Sequence, residues 1–183
     1  MFRRTCFRLA IAGVLIAAPV SIGAQQMGTS SDSDYVAKIM AAAPASVVKG
    51  ATIVQTQTDG TMKVLQTGTN GFTCMVAGAN AMCLDTNAMA WARAWMTHSA
   101  PPDKVGFVYM LAGDDGASNT DPYAKSPAAD NHWVKTGPHV MIVGPSAKTM
   151  GYPMTPDADP TKPYVMWAGT PYAHLMIPVS TQP

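Results

Sequence analysis

No glutamate occurs among the 183 residues; all 11 acidic side chains are aspartate. That absence removes the His-Glu-x-x-His zinc-protease motif and the closing carboxylate of an EF-hand. Glycoside hydrolysis would need an aspartate pair, and no spacing singles one out. Charge of either sign is scarce, at 13%. No basic stripe is present to displace counterions, which argues against nucleic acid as a partner. The nucleophile elbow G-x-S-x-G, the Walker A loop and the G-x-G-x-x-G turn are all missing. Cysteine is limited to Cys6, Cys74 and Cys83.

The N-terminus names a compartment. Arg3, Arg4 and Arg8 precede an apolar run from Leu9 to Ile22, which ends at Gly23-Ala24-Gln25. A charged start, a short apolar stretch and a small residue before the cut describe a secretory signal peptide over residues 1–24. The run is short for a membrane span, and none remains once it is cleaved. Release into the periplasm or outside the cell is therefore expected, by the general or the twin-arginine route. Cleavage removes three of the 12 basic residues, leaving 9 − 11 = −2 in formal charge. In an oxidising compartment Cys74 and Cys83 are expected to pair as a disulfide.

Residues 25–32 read as a flexible polar leader and 33–183 as one globular domain. Tyr35, Val36, Ile39 and Met40 recur at helical spacing before Pro44. Strand patterns follow at 52–57, 62–67 and 72–76, with Asp59-Gly60 and Asn70-Gly71 as turn signals. Asp85 or Thr86 caps a second helix running to about His98, closed by Pro101-Pro102. Trp91 and Trp95 share one face of it, a stripe typical of core. Five further strands are expected at 105–111, 133–135, 139–143, 164–167 and 174–179. The sum is an α+β domain with two helices on an antiparallel sheet, partly barrelled or sandwich-like. The loops 113–131 and 144–163 are long enough to carry function.

Methionine is plentiful, with 14 copies. Most of them suit an irregular core. Two segments repeat a more specific pattern: His139-Val140-Met141-Ile142 and His174-Leu175-Met176-Ile177. Successive strand side chains alternate faces, so the His and the Met of each segment project the same way. Paired strands would put two imidazoles and two thioethers on one surface, a donor set soft enough for Cu(I).

His139 is also followed by Met150, giving His-x10-Met, and then by His174-x-Met176. This resembles the periplasmic copper(I) chaperones, whose motif is His-x10-Met followed by His-x-Met. The segment Gly169–Met176 looks like that family's closing strand. Trp91-Ala92-Arg93-Ala94 followed by Val105–Tyr109 is similar to its opening. The resemblance covers residues 91–179. It implies a cupredoxin-like β-sandwich, Cu(I) delivery as the activity, and His139, Met150, His174 and Met176 as ligands.

Asp114, Asp115, Asn119 and Asp121 gather oxygens that suit a hard cation. The same residue types also build turns, and the spacing matches no calcium loop. His132 and Trp133 close this loop and could wall a pocket with His139. The composition leaves three functions open: an exported protein that holds or passes Cu(I), an envelope module that binds a small apolar ligand or another envelope protein, and an exported Ser/His/Asp hydrolase.

Overall fold

The structure, a computed structural model, describes residues 29–179. The signal peptide expected at 1–24 lies outside them. Helix α1 (Thr29–Met40) begins inside the stretch read as leader, with Asp32 in its first turn favouring the helix dipole. A single-turn α2 (Ala45–Val48) follows. Then come β1 (Thr52–Thr56), β2 (Met62–Gln66), β3 (Phe72–Ala77), β4 (Asn80–Asp85), α3 (Thr86–Met96) and β5 (Gly106–Met110). The chain continues through the short β6 (Ala117–Ser118) and β7 (Trp133–Val134). It ends with β8 (His139–Val143), a 3-10 helix (Pro145–Thr149), β9 (Tyr164–Met166) and β10 (His174–Pro178).

Eight strands form one sheet in the order β2-β1-β3-β4-β5-β8-β10-β9, and β6 with β7 makes a separate ribbon. Only β1 and β3 run parallel; every other pairing is antiparallel. The fold is α+β as the pattern implies, but the sheet stays open rather than closing into a barrel. The strand β4 has no counterpart in the sequence reading. It pairs with β3 across a tight turn at Gly78, whose φ is 60°. There Cys74 stands opposite Cys83, and the two form a buried disulfide.

Alternation divides the sheet cleanly. Leu84, Val108, Val143, Tyr164 and Met176 face a front core shared with Ala88 and Trp91 of α3. On the back, Ile53, Cys74, Ala81 and Cys83 pack under Ile39 of α1 and Ala42 just beyond it. Val165 and Leu175 pack there beneath Ala147 of the 3-10 helix.

Helix α3 is placed by three local devices. The Asp85 side chain caps it by accepting from Ala88 N at 2.7 Å. At its other end His98 takes left-handed backbone (φ 53°), and Ser99 N donates to Ala94 O at 2.9 Å. That pattern is a Schellman stop. Between them Gly106 lets β5 come close: a Cβ there would lie 2.7 Å from Ala88 Cα. Only glycine permits that approach.

Candidate functional site

Strand register lays three rows of side chains across the front of β5, β8, β10 and β9. In the middle row Val108, Met141, Met176 and Tyr164 stand side by side. The row to one side sets Met110 against His139. The row to the other sets Val143, His174 and Met166 together. Cross-strand neighbours have Cβ atoms roughly 4.5–5.5 Å apart. Each imidazole therefore has a methionine beside it, and the Met141–Met176 pair lies between the two imidazoles. Helix α3, the turn at Asp114–Ser118, the residues Asp121, Pro122 and Ala124, and Trp133 close over these rows. They leave a cavity of about 250 Å³.

Both histidines are held in the same way. His139 Nδ1 donates to Gly137 O at 2.7 Å, and His174 Nδ1 to Tyr172 O at 3.0 Å. In each case the acceptor is the carbonyl two residues upstream. A carbonyl only accepts, so the proton sits on Nδ1 and Nε2 keeps a bare lone pair. His139 Nε2 has no exposed surface and no hydrogen-bond partner. Asp114 Oδ2 lies 3.9 Å away, beyond hydrogen-bond reach. A buried acceptor left unpaired costs about 1–3 kcal/mol. An imidazole tied to a backbone carbonyl through its other nitrogen is the usual posture of a metal ligand.

Burial keeps both rings neutral. It pushes the His174 imidazole from 6.5 down to about 4, against the Tyr172 carbonyl and with help from repulsion by His139. Burial also lowers His139, although the Gly137 carbonyl and the Asp114 charge pull the other way. Asp114 is raised by its own burial, which outweighs two backbone donors, Thr136 N at 3.0 Å and Gly116 N at 2.9 Å. The Tyr164 phenol, bonded to Thr136 Oγ1 at 2.7 Å, is pushed up to about 12 by burial. Neutral imidazole is the ligating form, so neither ring needs to lose a proton at neutral pH.

Trp91 Nε1 is a second buried polar atom in this wall without a partner. Elsewhere in the wall, Gly116 (φ 105°) makes room for Trp133: a Cβ at Gly116 would lie 3.0 Å from Trp133 Cδ1, and its Nε1 would be closer still. Trp91 and Trp95 are thus core residues and cavity wall at once.

Four of the five metal-ligand candidates, His139, Met141, His174 and Met176, line this one cavity. Met150 does not. It caps the 3-10 helix on the back of the sheet and is 40% exposed. Met82, Met110 and Met166 line the cavity instead. The signal for Met110 and Met166 was present, because they share strand parity with Val108 and Tyr164 at the strand ends. Their nearness to the histidines came only with the register. Among the described residues, no three His, Cys or Asp side chains converge as a metal cluster. Imidazole and thioether make up most of the donors gathered at the cavity, beside the carboxylates of Asp114 and Asp121.

The aspartate loop is used internally. Asp115 Oδ1 accepts from Asn80 Nδ2 at 2.7 Å, and Asp121 Oδ1 from Tyr123 N at 2.9 Å. Asn119 Nδ2 donates to Thr155 O at 3.0 Å and Pro156 O at 2.7 Å. Trp133 walls the cavity with His139, as the sequence suggested, whereas His132 turns away to Asp157 Oδ1 at 2.8 Å. Ser118 Oγ donates to Asn131 O at 2.5 Å and accepts from Asp121 N at 2.8 Å. Comparison with protein-family models, with curated proteins and with solved structures finds no match to this chain.

Proposed function

We propose that this protein is an exported Cu(I)-binding protein, a carrier or chaperone, with the metal held in the front cavity by His139, His174, Met141 and Met176. The observation that carries the reading is the bare, water-excluded Nε2 of His139 beside Met110 and near the Met141–Met176 pair. Thioether sulfur is a soft donor that favours Cu(I), and neutral imidazole completes such a set. Met166, beside His174, offers a further sulfur. No carboxylate other than those of Asp114 and Asp121 lines the cavity among the described residues, so hard cations find little here.

A competition titration against a Cu(I) chelator tests the reading. Met141→Leu/Met176→Leu keeps the volume and removes both sulfurs. The double variant should weaken Cu(I) binding at least about tenfold, or roughly 1.4 kcal/mol, while the melting temperature of the apo protein moves little. Lost stability with unchanged affinity would make these methionines core residues and nothing more. Failure of the unmutated protein to compete with a micromolar chelator would end the copper reading.

A second reading rests on Trp91 Nε1, a buried donor without an acceptor in a cavity walled by Trp91, Trp95, Trp133 and Trp167. A small apolar ligand carrying one acceptor would satisfy it. Tryptophan fluorescence separates the two readings. Quenching by such ligands that Cu(I) does not reverse would favour the apolar ligand.

A further inference from the structure

Both imidazoles are shut away from solvent, so no redox partner can touch His139 or His174 directly. A file of aromatic rings nevertheless runs from His174 to the surface. The His174 ring lies 4.8 Å from that of Trp167, centroid to centroid. Trp167 lies 5.5 Å from Trp95, at 30° between planes. Trp95 stacks on Tyr123 at 6.4 Å and 12°, and Tyr123 on His98 at 4.1 Å and 18°. Tyr123 is 38% exposed, and His98 is open to solvent. No saturated side chain interrupts the series.

The rings are held individually. Trp167 Nε1 donates to Ser118 O at 2.7 Å, Trp95 Nε1 to Pro122 O at 3.2 Å, and the Tyr123 hydroxyl to Trp95 O at 3.2 Å. Two members stand on left-handed backbone, Trp167 at φ 54° and His98 at φ 53°. That conformation costs a non-glycine residue roughly 1–2 kcal/mol; at His98 it belongs to the stop that ends α3.

We propose that this file is an electron path between copper bound at His174 and the Tyr123–His98 surface, so that the site is redox-active as well as a carrier. The proposal rests on the copper reading above. In the step, Cu(I) gives up one electron and becomes Cu(II). A one-electron acceptor at the Tyr123–His98 surface takes that electron; no covalent bond changes and no proton moves. Rings in contact divide the distance from the buried metal into short gaps across conjugated orbitals. The imidazoles serve Cu(II) as well as Cu(I), so one donor set can hold both states.

The test loads the full mature protein with Cu(I) without oxygen, measures its affinity by chelator competition, and mixes it in a stopped flow with oxidised cytochrome c. That acceptor is too large to enter the cavity. Tyr123 does not line the cavity, so Tyr123→Leu should leave Cu(I) affinity unchanged. It should slow oxidation about tenfold, a barrier rise of about 1.4 kcal/mol. His98→Asn, which tolerates the left-handed backbone, should also slow it. Tyr152→Leu removes an exposed tyrosine away from the file and should oxidise at the parent rate. Parent rates in both Tyr123→Leu and His98→Asn overturn the path while leaving copper binding in place. A parent protein that takes up no Cu(I) overturns the copper reading and the path together, so the two failures are told apart at the loading step.

Discussion

Acidification from about pH 7.5 to about pH 4.5 should destabilise the apo protein chiefly through His174, and linkage gives the size. Burial moves that imidazole from 6.5 to about 4. The unfolded chain therefore takes up a proton below 6.5 that the folded chain refuses until about pH 4. Stability from this group is complete above 6.5, drains away between 6.5 and about 4, and is level below. Each pH unit of difference is worth 1.36 kcal/mol, so the loss is about 3 kcal/mol. His139, also lowered by burial, adds to the loss, while Asp114, raised by burial, offsets part of it. Urea titrations across this range should show the midpoint falling by about 1.5 M, taking a slope near 2 kcal/mol per molar. In His174→Asn, which has no proton to gain, most of that pH dependence should vanish. A His174 ring titrating near 6.5 by NMR, or an equal fall in the variant, would refute the reasoning.

Three other outcomes follow from the same geometry. Cu(I) affinity should hold as pH drops to 6.5 and fall only below it, read by chelator competition, because burial keeps both imidazoles neutral there. Gly106→Ala would drive a methyl into Ala88 of α3, and chemical denaturation should show a loss of about 3 kcal/mol. Asp85→Ala removes the acceptor for Ala88 N and should lower stability by about 1 kcal/mol in the same assay.

The parts of the site visible in the sequence are those that depend on local period. His139 with Met141, and His174 with Met176, share a face because strand side chains repeat every two residues. The β8–β10 register pairs these two segments directly. The nearness of Met110 and Met166 to the histidines is not legible in the sequence because their neighbours are set by non-local pairing, which one-dimensional spacing does not contain. Strand β4 is hidden for a different reason. Ala81–Leu84 is a short apolar run directly ahead of helix formers, and periodicity cannot separate such a run from the start of a helix. Of the two candidate caps, Asp85 and Thr86, Asp85 performs that role and also ends the strand.

Met150 illustrates how a spacing motif and a face motif can disagree. Counting from His139 reaches it, but the chain leaves β8 at Val143, turns through Gly144 at φ 108°, and enters a 3-10 helix behind the sheet. Ala147 of that helix packs on Val165 and Leu175, the back-facing residues between Tyr164 and Met166 and between His174 and Met176. The alternation that turns His174 and Met176 forward therefore turns Leu175 back, and the helix that covers Leu175 carries Met150 to the far side of the sheet from the cavity. For Met150 to join the histidines, this cover would have to come off Val165 and Leu175, both almost wholly buried. Exposing two such side chains costs about 3–6 kcal/mol, more than one additional thioether contact in an already sulfur-rich cavity would return. Met166, fixed beside His174 by the sheet itself, meets the same need without that rearrangement.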